Sequence, residues 1–254
     1  VLRYCVAVRK ILVIGIGAGN PDHLTVQAVK ALQTVDVFFV LDKGSVKQEL
    51  VDLRASILAE HVTRPYRWVE GRDPERDRNP SDYVATIDAW RRARADVCSE
   101  LLSELAEDEV GAFLVWGDPS LYDSTLAILD DLLARGESFE VSVIPGVTSV
   151  AALTAGHRVS LNQVGKPVQI TTGRRLAEGW PSDVDDVAVM LDAKYSFEGV
   201  DPDTWIYWGA YLGMPDEILV SGRVGDVAAE IRAVREEARA RKGWIMDTYL
   251  LRRS

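Results

Sequence analysis

The segment Ile11–Ile16 (ILVIGI) runs without a polar interruption and passes straight into the glycines of GIGAG. An uninterrupted apolar run of strand length, closed by glycines, suits a parallel strand buried on both faces. It predicts a sheet with helices on either side from the start of the chain. The rest of the first half repeats the alternation. Thr25–Gln33 reads as a short helix capped by Thr25, and Val35–Leu41 (VDVFFVL) as a strand. The stretch Arg64–Val69 reads as a further strand, placed at an edge by Pro65. The charged stretch Gly71–Arg78 (GRDPERDR) reads as a surface loop. Asn79 and Pro80 then read as cap and first residue of a long helix, with Tyr83, Ile87, Trp90, Val97, Leu101 and Leu105 at helical spacing. A strand at Val110–Trp116, a helix at Leu121–Leu133 and a strand at Phe139–Ile144 complete a pattern that implies a parallel α/β sheet.

The second half reads differently. Val168–Thr172, Asp186–Leu191 and Thr204–Trp208 are strand-like. Val224–Lys242 is a helix with Val227, Ile231, Val234 and Ala238 inward, and Trp244–Leu251 closes the pattern as a strand. The fold class expected is α/β with two domains, 1–143 and 144–254.

Charge and cysteine content narrow the function. The 254 residues carry 29 Lys+Arg against 39 Asp+Glu, a net charge of −10. Nucleic-acid binding draws on a basic excess, so nucleic acid is not expected as a partner. No apolar run reaches membrane-spanning length, and the first ten residues carry Arg3, Arg9 and Lys10 without a secretory core. Cys5 and Cys98 form no CxxC pair, so neither a disulfide framework nor a metal site is expected. A reduced, cytoplasmic protein follows.

Three loops stand out as places for chemistry. GIGAGNPDHLT (Gly15–Thr25) follows the first strand, and Gly15 and Gly17 let a ligand approach the backbone. A dinucleotide site would want a third glycine at position 20. Asn20 stands there, followed by Pro21, which disfavours a helix opening inside the motif. A nicotinamide oxidoreductase remains a second reading on Gly15 and Gly17, with Asp36 and Asp42 near the spacing of a ribose partner, and a bare glycine turn a third. WGDPSLYDST (Trp116–Thr125) also follows a buried strand, at the end where parallel sheets bind ligands. Asp118 there is either a carboxylate facing a ligand or, with Ser120, a helix cap. IPGVTSVAALTA (Ile144–Ala155) opens a small-residue helix at Thr148 and Ser149, where Thr148 caps or binds.

In order and wording, GIGAGNPDHLT, WGDPSLYDST and IPGVTS together resemble the tetrapyrrole (corrin/porphyrin) methylase family. The resemblance covers nearly the whole chain. It implies two α/β domains, S-adenosylmethionine as methyl donor in the cleft between them, a tetrapyrrole substrate and a homodimer. HRVSLNQVGKPVQITTGRRL, VMLDA and YWGAYLGMPDE are similar to the branch that methylates the corrin precursor and also releases an acetyl unit as acetate. Position by position, the resemblance gives donor contacts at Ala18, Gly117, Asp118, Pro119, Leu121, Thr148, Ser149, Leu191, Ala210 and Leu250. The chain departs from the common G-x-G-P-G and G-G-D-P wording at Ala18 and Trp116.

The implied chemistry asks for few groups. Aligning a carbon nucleophile with an electrophilic methyl and excluding water can supply about 7–11 kcal/mol without a catalytic dyad. Deacylation asks in addition for a base and an oxyanion donor. Asp22, Asp118 and Tyr122, in the motif loops, are the candidates. A polycarboxylate substrate approaching an acidic chain needs local cations. Arg174, Arg175 and Lys194 are expected to bind it, with the arginines at 64, 67, 72, 76 and 78 as further candidates.

Overall fold

The computed structural model describes residues 9–42, 48–75 and 82–253. Cys5, Arg76, Arg78, Asn79 and Pro80 lie outside them. The chain forms two compact units. The first runs to Gly17 and then from Pro21 to Val147. The second takes Ala18–Asn20 and everything from Thr148. Residues 144–147 thus group with the first unit, beyond the boundary expected at 143.

In the first unit, β1 (Arg9–Gly15), β2 (Val37–Asp42), β3 (Arg67–Arg72), β4 (Val110–Val115) and β5 (Phe139–Ile144) build one sheet in the order β3-β2-β4-β1-β5. Every pairing is parallel. The unbroken apolar run of β1 has the cause the sequence suggests. Ile11 and Val13 face a core built with α3 (Tyr83–Ser103) and α4 (Thr125–Ala134), through Cys98, Leu102, Ile128 and Leu132. Leu12 and Ile14 face the opposite core, with Ala28 and Leu32 of α1 (Val26–Leu32) and Ile57 and Leu58 of α2 (Gln48–His61). Each such side chain contributes about 1.5–3 kcal/mol by leaving water, so β1 tolerates a polar residue on neither face. β3 is an edge strand, with Pro65 just before it.

Three local readings are corrected here. α2 was not anticipated, although Leu50, Leu53, Ile57 and Leu58 stand at helical spacing. Its charged neighbours dilute that pattern. α3 begins at Tyr83, and the carboxylate of Asp82 accepts the Ala85 N–H as its cap. α4 begins at Thr125 rather than Leu121. The backbone of Tyr122 is left-handed (φ 53°), so the helix cannot start before it.

The second unit has a mixed sheet of β6 (Val168–Thr172), β7 (Asp186–Met190), β8 (Trp205–Ala210), β9 (Ile218–Arg223) and β10 (Asp247–Arg252), ordered β6-β7-β10-β8-β9. Only β6 and β7 are parallel; the other three pairings are antiparallel. β9, a short edge strand containing Gly222, was not anticipated. α5 (Ser149–His157) and α7 (Val224–Lys242) cover the sheet. Alternate residues of a strand face opposite sides, so Thr248 meets Ser149 of α5 while Asp247 meets Arg235 of α7. A short helix, α6 (Gly173–Ala177), follows β6.

Candidate functional site

In the first unit the turns after β1, β4 and β5 converge. Gly17 and Gly117 exchange two backbone hydrogen bonds, N–H to O at 3.2 and 2.7 Å. Gly17 has φ 81°, and a Cβ on it would stand 2.3 Å from the Cβ of His23, so no side chain fits there. From the β5 side Gly146 closes on the same point. A Cβ on it would lie 2.1 Å from the Gly117 carbonyl oxygen.

Asp118 ties these turns together. Its carboxylate accepts the Gly146 N–H at 2.8 Å, the Ser120 N–H at 2.8 Å and the Ser120 hydroxyl. Burial alone would raise its pKa, but these three hydrogen bonds outweigh burial and hold the carboxyl below its ordinary range. Asp118 is therefore a weak base and a clamp between turns, which moves the expected proton-transfer role away from it. Pro119 beside it is buried and Leu121 half-buried.

Tyr122 is exposed, in a strained left-handed conformation of the kind that costs about 1–3 kcal/mol and collects at functional sites. Partial desolvation raises its phenol above the ordinary tyrosine range. Asp22 lies exposed in a 3-10 turn, Pro21–His23. That turn separates the glycines from α1, whose cap is Thr25 through the Ala28 N–H. A helix opening inside the glycine motif, as a dinucleotide site requires, is therefore absent from this segment.

The second unit gathers the other expected contacts at one end of its sheet. Thr148 caps α5 by accepting the Ala151 N–H at 3.1 Å. The Ser149 hydroxyl lies 3.3 Å from that of Thr248 and 4.0 Å from the sulfur of Met190. Thr248 pairs with Met190, and Asp247 with Ala210, so the ends of β7, β10 and β8 stand side by side. The three residues Ala18–Asn20 belong here too: a Cβ on Gly19 would meet the Leu212 carbonyl oxygen at 2.6 Å. Leu191 follows β7 with φ 55° and a side chain 64% exposed. Leu250 differs from its expected role. It pairs with Ala188 and Tyr207 well inside the sheet and is fully buried, so its side chain is core. Thr248, on the same strand face, holds the position nearer Ser149.

The expected substrate cations separate into two groups. Arg174 and Arg175 lie exposed on α6, which packs against the 3-10 turn Ser196–Gly199 following the exposed Lys194, so these three share one region. Arg175 is ion-paired with Glu178 at 2.7 Å. The first-unit arginines are engaged otherwise: Arg64 with Asp36, Arg67 with Glu109, and Arg72 with Glu75 at 3.8 Å. Their partners come from the strands and loops of the first unit itself, in exposed or half-exposed pairs like that of Arg175 with Glu178.

Sequence reasoning missed a buried polar network in this unit: Asp192, Arg235, Asp247 and Tyr249. One signal was available. Arg235 falls four residues after Ile231 and three before Ala238, on the apolar face of α7, where an unpaired guanidinium would be costly.

A family model described as Tetrapyrrole (Corrin/Porphyrin) Methylases matches residues 10–228. Among curated proteins, a precorrin-6A synthase [deacetylating] of Sinorhizobium sp is 53% identical over 96% of this chain and 95% of its own length. Among solved structures, a cobalamin synthesis related protein (CobF) of Corynebacterium diphtheriae superposes with a TM-score of 0.82 at 38% identity, covering 96% of this chain and 98% of that one. A uroporphyrin-III C-methyltransferase of Thermus thermophilus, complexed with S-adenosylhomocysteine, shares the fold at a TM-score of 0.61 and 18% identity, over 95% of this chain and 91% of that one.

Proposed function

This chain belongs to the tetrapyrrole (corrin/porphyrin) methylase family, and from that membership we propose that it is an S-adenosylmethionine-dependent C-methyltransferase of cobalamin biosynthesis. Its reaction is that of precorrin-6A synthase (deacetylating): methylation of precorrin-5 at C1, with the acetyl unit removed by water as acetate. The observation that carries this is the 53% identity to such an enzyme along nearly the full length of both chains.

S-adenosylmethionine supplies an electrophilic methyl on a sulfonium that leaves as a neutral thioether, so no acid is needed at the leaving group. The chain's residues suit such a donor. Gly17 and Gly117 bring two loop backbones together, with Ala18 beside one and Pro119 and Leu121 beyond the other. Thr148, Ser149, Leu191 and Ala210 provide small polar and apolar surface, with Leu250 as packing behind Thr248. Arg174, Arg175 and Lys194 offer charge to substrate carboxylates. For deacylation, Tyr122 keeps its O–H for an oxyanion and Asp22 is the exposed carboxylate. The enzyme acts as a homodimer in the cytoplasm; sedimentation of the purified protein checks the first point. No helix among the described residues is long and apolar enough to cross a membrane.

The test is incubation of the protein with precorrin-5 and S-adenosylmethionine, followed by mass spectrometry and an acetate assay. One methyl gained per acetate released is expected. A methylated product without acetate would assign the chain to a different ring carbon. Thermal shifts provide a binding check. A ligand at 100 times its Kd stabilises by about 2.7 kcal/mol, so S-adenosylhomocysteine should raise the Tm and NAD should not.

A further inference from the structure

The turn that follows β7 combines two unfavourable features. Leu191 is a non-glycine residue with left-handed backbone, φ 55°, and it turns a large apolar side chain into solvent. Tyr195, four residues on, is left-handed as well. Such conformations persist only where their surroundings over-determine them. Tyr195 lies under the guanidiniums of Arg232 and Arg235, at 4.2 and 4.7 Å, and one carboxylate gathers the backbone around it. Asp192, 6% exposed, accepts the Lys194 N–H at 2.9 Å, the Ser196 N–H at 2.6 Å, the Ser196 hydroxyl at 3.0 Å and the Tyr249 phenol at 2.7 Å.

The clamp is itself anchored. The Asp192 carbonyl accepts a hydrogen bond from the Arg235 guanidinium at 2.8 Å, and Arg235 is held by Asp247 at 2.7 Å. Trp208 donates its indole N–H to the same Asp247 oxygen at 3.1 Å. The turn is thereby fastened to α7, β8 and β10. At α6 the packing leaves no slack: a Cβ on Gly173 would stand 2.4 Å from the Asp192 carboxyl carbon. Burial pushes the Tyr249 phenol up, so it remains a donor to Asp192. Together these bonds fix the chain that directly follows Leu191, from Asp192 to Ser196, and tie it to Tyr249 of β10.

We propose that Asp192 is a positioning residue for methyl-donor binding, holding the strained turn after β7 so that Leu191 stands ready against the donor before it arrives. The proposal rests on reading the chain as an S-adenosylmethionine-dependent methyltransferase. A preformed contact saves the ordering that a loose turn would require on binding.

The test uses titration calorimetry with S-adenosylhomocysteine alongside thermal unfolding, on the full chain. Asp192→Asn should weaken S-adenosylhomocysteine by about tenfold, and Tyr249→Phe, which removes one of the four bonds, by about two- to threefold. Leu191→Gly should raise the Tm, because glycine adopts the left-handed backbone without strain, and should weaken the ligand. Asp192→Asn combined with Leu191→Ala should bind no more weakly than the poorer single variant, because both act through one contact. Folded Tyr249→Phe and Leu191→Gly proteins with the wild-type Kd would overturn the proposal, and they serve if Asp192→Asn does not fold. A wild-type chain that fails to bind S-adenosylhomocysteine would overturn the methyltransferase reading itself, a distinct result.

Discussion

The backbone N–H of Gly146 donates to the carboxylate of Asp118 at 2.8 Å, and this bond crosses the end of another strand. In the sheet, β1 lies between β4 and β5. The turn after β4 therefore reaches the turn after β5 only by passing over Gly15, the last residue of β1. A Cβ on Gly15 would stand 2.6 Å from the Gly146 nitrogen. Two residues 28 apart in sequence thus fix the geometry of three loop starts.

This clamp makes stability depend on acid. Folding holds the Asp118 carboxyl below its ordinary value of about 3.9. Its contribution is fully present above that value and is lost as pH falls through the lower, folded value. Asp118→Asn should cost about 1–3 kcal/mol at neutral pH. The Tm gap between wild type and variant should narrow below about pH 4. A gap that stays constant from pH 7 to about pH 3 would contradict the assigned role.

Gly146→Ala should be severely destabilising. A Cβ there would press on the Gly117 carbonyl at 2.1 Å and on Gly15 at 2.8 Å, and backbone cannot swing aside as a side chain can. A loss of about 3 kcal/mol or more in urea unfolding is expected, at the top of the range for overpacking. Gly199→Ala is the control: nothing lies within 4 Å of its added Cβ, and a change within about 0.5 kcal/mol is expected.

Replacing Arg174 and Arg175 together with Ala should leave the fold almost untouched. Both are exposed, and the Arg175–Glu178 pair is a surface ion pair of the kind worth about 0–1 kcal/mol. The substrate should bind more weakly while S-adenosylhomocysteine binds as before. Equal losses of both ligands, measured by calorimetry, would remove the two arginines from the substrate's side.

Cys98 should be unreactive in the native protein. It is buried in the α3 core, and burial pushes its thiol up to about 11. In a Cys5→Ser background, modification by a thiol reagent should proceed only as fast as the protein opens, and urea should accelerate it. Rapid labelling without denaturant would show that the packing against α3 is looser than described.

The parts of this molecule legible in its sequence are those governed by period and burial. β1 announces itself because it is apolar on both faces, and α7 because its apolar residues keep one helical spacing. The start of α4 does not. Spacing alone carries a helix back to Leu121, but the hydrogen bonds of Asp118 and the left-handed backbone of Tyr122 delay it to Thr125. Side chain to backbone bonds of this sort depend on a conformation that hydrophobic period does not encode.

The candidate site divides in the same way. The motif loops identify Gly117, Asp118, Thr148 and Ser149 as residues at strand and helix ends. They do not reveal that Asp118 already spends its oxygens on Ser120 and Gly146. Nor do they pair Arg235 with Asp247, which meet only once α7 lies on β10. For Leu250, strand alternation gives the facing side but not the depth within the sheet, and depth is what makes it core.

The brief passage of Ala18–Asn20 into the second unit has a consequence for how this chain can be divided. A cut after Val147 would not release two complete pieces. The downstream fragment would lack three residues of its own, including Gly19 against Leu212 and Met214, while the upstream fragment would carry Gly19 without those two neighbours. The two halves are therefore not interchangeable cassettes. Swapping one between relatives, or expressing one alone, would require the short stretch after the first strand to be exchanged or supplied along with it.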